Sequence, residues 1–232
     1  MNFKDIQRAL VIAAHYDDET ISCGGIIRKL SNVGKEVTVI IVTDGKTGVD
    51  HSQKYNGDNI ELVRKKEFMK AAEVLGISKV MFLHEKCQEV TYSKRILHKL
   101  IGIIRETRPC AIFTHDCDDK HIDHKNVNLI VEQAVWKSSE NILPNLGKVH
   151  TPKILLAFEC VDVIKSPAVF VDITEEYSAK IEALSCYNSQ MNIVSGIKSF
   201  VDGISRVRGY QAGVHRAEAF KIISSIPVVV DF

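Results

Sequence analysis

No stretch of this chain is apolar for long enough to cross a bilayer. Its longest apolar runs, such as residues 37–43, are flanked by charge and fall far short of the roughly 20 residues a spanning helix needs. The first eight residues, Met-Asn-Phe-Lys-Asp-Ile-Gln-Arg, lack the apolar segment of a secretory signal. Charge of one sign is missing too. Thirty basic residues stand against 29 acidic ones, a formal net charge of +1, so there is no electrostatic ground for expecting nucleic acid or an anionic membrane as partner. The six cysteines, at positions 23, 87, 110, 117, 160 and 186, form no Cys-x-x-Cys pair. They read as small buried hydrophobes in a reducing compartment rather than as a disulfide framework, and the expected location is cytoplasmic. Repeats, low-complexity tracts and Pro/Ser-rich linkers are also lacking. Gly24-Gly25 resembles part of a phosphate-binding turn, but the Gly-x-Gly-x-x-Gly pattern is missing, which argues against a nucleotide cofactor.

What is present is ordinary globular material: 232 residues, 45% hydrophobic and 25% charged, enough for one sizeable core. Residues 9–14, 37–43, 79–83 and 111–114 are short runs of aliphatic, β-branched and aromatic residues, as strands buried on both faces should be. Residues 25–33, 59–75, 93–107 and 124–137 between them carry apolar residues at helical spacing. In the second of these, Phe68, Ala71, Ala72 and Leu75 share a face from which Lys66 and Lys70 point away, and Gly76 is placed to end the helix. Strand–helix alternation of this kind predicts an α/β, Rossmann-like fold, a mostly parallel sheet with helices on both faces. A single domain spanning 1–232 is expected, with a core over 1–150 and an irregular C-terminal substructure over 151–232 closing the cleft. In that last third, 153–160 and 168–173 read as strands, 174–189 as a helix, and 199–209 as a helix or irregular segment.

Parallel sheets bind ligands outside the carboxyl ends of their strands. Two polar clusters fall there. The first strand runs into His15-Tyr16-Asp17-Asp18-Glu19, and the fourth into a stretch from Thr114 through His115, Asp116, Asp118, Asp119, His121 and Asp123 to His124. If those strands are neighbours, the clusters face each other. Amide cleavage needs a nucleophile stronger than water and stabilisation of an oxyanion, both of which a divalent metal helps to supply. Catalytic zinc sites take three ligands from His and carboxylate and leave one position open, and a second carboxylate serves as base. Each cluster alone also admits a plainer role, since Asp18 and Asp123 stand where helix N-caps occur. Cys110 and Cys117 suggest a structural zinc site, a weaker idea that leaves the first cluster unexplained. His115 is expected near the pocket, His98 and His150 at the surface.

At these residues the sequence resembles the LmbE/PIG-L family of zinc-dependent N-acetylglucosaminyl deacetylases. The family's Ala-His-Pro-Asp-Asp-Glu motif is matched by Ala14-His15-Tyr16-Asp17-Asp18-Glu19 with Gly24-Gly25 downstream, and its His-x-Asp-His motif by His121-Ile122-Asp123-His124. Lesser matches are Thr43-Asp44-Gly45, Arg64 with Glu67, Asp172, Ser189-Gln190 and Ala217-Glu218-Ala219-Phe220. The resemblance implies that His15, Asp18 and His124 bind a metal, zinc or another divalent ion such as Fe(II). It implies that Asp17 is the general base, that His121 stabilises the oxyanion, and that Asp123 orients a histidine. Arg64 would contact sugar hydroxyls. Tyr16 replaces the family's proline, and its hydroxyl is placed to reach the cleft as a further substrate contact. The substrate implied is a small N-acetylated amino sugar or glycoside. An amidase acting on a larger pseudo-disaccharide thiol or its S-conjugate is the neighbouring alternative, and a non-catalytic metal- or sugar-binding protein the remaining one. Family members are often multimeric, so the resemblance leaves a homo-oligomer open, a state that the sequence does not decide. The polar loop 45–58 follows the second strand on the cleft side and is read as a surface loop or substrate lid.

Overall fold

The structure is a computed structural model that describes residues 5–50 and 60–223. Its elements in chain order are β1 (Arg8–Ala13), α1 (Asp18–Asn32), β2 (Glu36–Thr43), α2 (Ile60–Leu75), β3 (Lys79–Glu85), α3 (Lys94–Thr107), β4 (Ala111–His115) and α4 (Ile122–Ser139). There follow β5 (Ile154–Phe158), β6 (Val169–Asp172), α5 (Tyr177–Leu184), α6 (Ile197–Ala212) and β7 (Ala217–Ile222).

Alternation along β1 explains the layering. Ala9, Val11 and Ala13 point to one face of the sheet and pack with Ile26, Ile27 and Leu30 of α1 and Phe68 and Leu75 of α2. Leu10, Ile12 and Ala14 point to the other and pack with α3 and α4 through Leu100, Ile104, Val127 and Val131. The side-chain period of two, with both sets apolar, requires a helix layer on each face. The seven strands run in the order β3-β2-β1-β4-β5-β7-β6. β1 through β5 are parallel, and β7 lies antiparallel between β5 and β6. Strand order reverses direction between β1 and β4, which are hydrogen-bonded neighbours. The crevice of an open α/β sheet forms at such a reversal, so the two polar clusters emerge side by side.

Two features differ from expectation. Helix α1 begins at Asp18 rather than near residue 25. Its first turns are Asp, Glu, Thr and Ser, buried by polar contacts that leave no hydrophobic period to detect. Strand β7 was not anticipated as a strand, because Ala-Glu-Ala-Phe-Lys-Ile has little β-propensity and is held by partners on both sides. The sheet passes through residue 150 without a break, since β5 pairs with β4 in parallel.

Gly24 and Gly25 prove to be packing residues. A Cβ on Gly25 would lie 2.5 Å from Ile173 Cγ2, and one on Gly24 would lie 3.0 Å from Lys180 Cγ. The pair lets α1 lie flat against the turn after β6 and against α5. There Glu218 accepts the backbone N–H groups of Gly25 and Ile26 at 2.7 and 2.9 Å while receiving Lys180 Nζ at 2.6 Å. Gly76 ends α2 at φ 70°, as its position after Leu75 predicts.

Candidate active site

The turn from β1 into α1 folds on itself: His15 N–H donates to Asp18 Oδ2 at 2.7 Å, and the Asp17 carbonyl accepts from Thr20 and Ile21. Around Asp18 Oδ2 three donor atoms form a near-equilateral triangle. His15 Nδ1 lies 3.2 Å from Asp18 Oδ2 and 3.2 Å from His124 Nε2, and His124 Nε2 lies 3.3 Å from Asp18 Oδ2. A tetrahedral cation bound at about 2.0–2.1 Å separates its donors by about 3.3–3.4 Å, so His15, Asp18 and His124 fit a zinc-sized ion with one side left open. All three are buried.

Carboxylates hold the two histidines from behind. Asp123 Oδ2 lies 3.0 Å from His15 Nε2 and accepts the Gln88 N–H at 2.7 Å, which directs His15 Nδ1 into the triangle. Asp119 Oδ1 lies 3.2 Å from His124 Nδ1 and does the same for His124. Asp119 is itself fixed by the N–H groups of His121 and Val161. No role for Asp119 was legible in the sequence, because four aspartates crowd residues 116–123 and spacing does not separate them. His115, fully buried, stacks on His124 at 3.8 Å and accepts the Ala14 N–H, sealing the site from below.

Asp17 and His121, not Asp18 and Asp123, occupy the cap positions of α1 and α4. The carboxylates of Asp18 and Asp123 face histidines.

Electrostatics follow from this crowding in the metal-free chain. Burial pushes the Asp17 carboxyl up to about 7, helped by Asp18 and Glu19 and opposed by Arg64. A carboxyl titrating there is matched to a general base at neutral pH. For Asp18 burial works upward, but the flanking histidines outweigh it and hold the group well below the usual range. His124 resists burial and rises to about 9 because Asp18 and Asp119 flank it. Burial lowers His121, as do the neighbouring charges of His15 and His124. His121 Nδ1 accepts the Asp123 N–H at 3.2 Å, so its neutral form carries hydrogen on Nε2 and can donate. Burial lowers His115 to about 4.

Asp17 has φ 111°, a left-handed conformation costly for a residue with a Cβ. The fully buried Glu19 holds it there. Glu19 Oε2 accepts the Asp17 N–H at 3.2 Å, and Oε1 accepts the hydroxyls of Tyr187 at 2.6 Å and Thr20 at 2.5 Å.

A cavity of about 430 Å³ opens over the triangle, with His15, Asp17, Asp18, His121, His124 and Arg64 on its floor. Arg64 is buried and already spans two turns, donating to the carbonyls of Tyr16 and Gly45 at 2.8 and 3.0 Å and standing 3.5 Å from Asp17 Oδ1. Tyr16 is a correction to the expectation. Its ring is fully buried between Phe68 and Phe82 and is absent from the cavity lining among the described residues. Its aromatic bulk won over its polar tip, and the hydroxyl lies buried with no hydrogen-bond partner among the described residues. Thr47 and Gly48 of the loop after β2 reach the cavity, while most of the anticipated lid, residues 51–58, lies outside the described residues. Cys87 and Cys160 also line the cavity, unforeseen because isolated cysteines read as core; Cys160 Sγ lies 3.3 Å from Asp18 Oδ1. Cys110 and Cys117 lie before and after β4, too far apart for one zinc ion. His150, expected at the surface, is half-buried with Nε2 2.8 Å from the Pro109 carbonyl.

Fold and site together define a class: a doubly wound α/β protein whose His/Asp cluster at the sheet's switch point suits a divalent cation beside a buried carboxylate. Residues 10–135 match the family model PIG-L, GlcNAc-PI de-N-acetylase, and the chain belongs to that family. It is 29% identical to a diacetylchitobiose deacetylase of Thermococcus kodakarensis, over 81% of this chain and 72% of the relative. A probable N-acetyl-alpha-D-glucosaminyl L-malate deacetylase 2 of Bacillus cereus is 31% identical over 79% of this chain and 84% of its own. The solved structure of the N,N'-diacetylchitobiose deacetylase of Pyrococcus horikoshii superimposes with a TM-score of 0.86 at 28% identity, covering 96% of this chain and 86% of that one. A 4-oxalmesaconate hydratase of Pseudomonas putida is 28% identical over 78% of this chain and 73% of the relative.

Proposed function

We propose that this protein hydrolyses the acetamide of an N-acetylated amino sugar or glycoside, releasing acetate and a free amine, with a divalent cation held by His15, Asp18 and His124. The observation that carries this reading is the donor triangle, with edges of 3.2–3.3 Å, beside a buried Asp17 carboxyl raised to about 7. Zinc suits two imidazoles and a carboxylate at this spacing, and Fe(II) or a related ion is the alternative. When bound, the ion would polarise the acetamide carbonyl and make water acidic enough to lose a proton near neutral pH.

The chain's own residues account for the rest. Asp17, on the cavity floor, takes the proton of the attacking water and later passes it to the leaving amine. Arg64 limits the rise in Asp17 basicity and fixes the turns on either side of the base. His121, neutral and donating through Nε2, stabilises the oxygen that gains charge as the carbonyl carbon becomes tetrahedral. Asp123 and Asp119 keep His15 and His124 in the rotamers that present Nδ1 and Nε2 to the cation. The substrate is a small molecule, and among the described residues no helix is long and apolar enough to cross a membrane.

The test is acetate and free-amine release from N-acetylglucosaminyl compounds, before and after chelation and on adding back zinc. Turnover should vanish with chelator and return with metal. Activity indifferent to metal sinks the proposal, and water addition to the carbon–carbon double bond of an unsaturated tricarboxylate in its place would assign the hydratase chemistry named for one relative. A larger thiol conjugate turned over in preference to simple glycosides would establish the amidase alternative.

A further inference from the structure

The cavity is chemically two-sided. Its floor holds every group that the reaction uses, while its outer wall is largely apolar: Ile21 of α1, Val161 after β5, Ile193 and Val194 in the segment before α6, and Ile197 and Phe200 of α6, interrupted by Gln190 and Ser195. Val161, Ile193 and Val194 stay 41%, 41% and 44% exposed, although each has a large β-branched side chain. Contiguous apolar groups left open at the mouth of a polar site mark a surface that a ligand covers. Arg64 is the only Lys or Arg lining the cavity among the described residues; its Nη1 and Nη2 already donate to the Gly45 and Tyr16 carbonyls and face Asp17, while Nε is buried with no hydrogen-bond partner among the described residues. Among the described residues, that wall therefore offers a carboxylate-bearing aglycone no lysine, and the one arginine of the cavity already faces two carbonyls and a carboxylate.

Resting on the deacetylase reading above, we infer that the apolar wall is the aglycone subsite and that the preferred substrates are acetamido-sugar glycosides with an uncharged, apolar-surfaced aglycone. Acetamide hydrolysis leaves only a methyl group beyond the scissile carbon, which gives a wall of this breadth no use on the acyl side. On the aglycone side, an aromatic or alkyl group or the C–H face of a second pyranose ring would cover Ile193, Val194 and Phe200.

The test compares kcat/KM of the zinc-loaded enzyme on 2-acetamido-2-deoxyglucose, its methyl and phenyl glycosides, and a glycoside with a carboxymethyl aglycone. The phenyl glycoside should exceed the free sugar by about tenfold or more, and the carboxymethyl glycoside should fall below the methyl one. The double variant I193S/V194S, at exposed positions where folding is not at stake, should bring the phenyl-to-free-sugar ratio close to one. Equal turnover of all four, preference for the carboxylated aglycone, or a gain carried by an N-hexanoyl in place of the N-acetyl group overturns this inference and leaves the deacetylase reading standing. Absence of turnover with every acetamido sugar at any zinc loading removes both.

Discussion

Two adjacent aspartates at the start of α1 have opposite characters because they face different neighbours. Asp18 lies among three imidazoles and is held ionised, while Asp17 faces a desolvated wall and titrates near neutrality. Replacing Asp17 with Asn should keep bound metal at wild-type stoichiometry and lower kcat by about 10²–10⁴-fold, read by elemental analysis beside an acetate assay. Asp119 offers a sharper test because it touches no reacting atom. Asp119→Asn should weaken metal binding by about 10–100-fold, measured by competition with a chelating dye, through loss of its hold on His124. Tyr16→Phe runs the other way. The hydroxyl is buried and has no partner among the described residues, so its removal should leave kcat/KM within about twofold and change stability by no more than about 1 kcal/mol in a denaturant titration.

At the scale of elements, the placing of α1 matters most, since its first residue is a metal-ligand candidate. The helix is clamped through Gly25 against Ile173 and through the Lys180–Glu218 pair. Gly25→Ala should lower stability by about 1–3 kcal/mol by overpacking, seen as a drop in Tm. The early helical turns and β7 escaped detection for a shared reason. Both owe their place to partners remote in sequence: Tyr187 on Glu19 at 2.6 Å, and β5 and β6 flanking β7. By contrast, β1, β2 and α2 carry periodicities that solvent exclusion alone imposes, and they were readable to within a residue or two.

For the whole molecule, pH dependence reverses with metal. In the metal-free chain the folded-state pKa of His124 is raised from 6.5 to about 9. Its contribution to stability is therefore complete below pH 6.5 and is lost as pH rises through 9. Coordination requires neutral imidazole, so apparent metal affinity should climb with pH across that same window, by up to about tenfold per unit. Melting curves with and without zinc between pH 6 and 9 should diverge steadily, and parallel curves would remove the charge assignment for His124.

From composition, periodicity and motif alone came the parallel α/β class, the two strand-end clusters and the residue types suited to a cation, because burial and coordination select side chains by kind. Tertiary structure alone decided that β1 and β4 are neighbours and that His15, Asp18 and His124 approach within 3.3 Å. It also decided that Asp119 stands behind His124 and that Tyr16 turns away from the cleft. Distances between donors on separate strands, and the choice of which face a side chain takes, depend on packing that no local stretch of chain specifies.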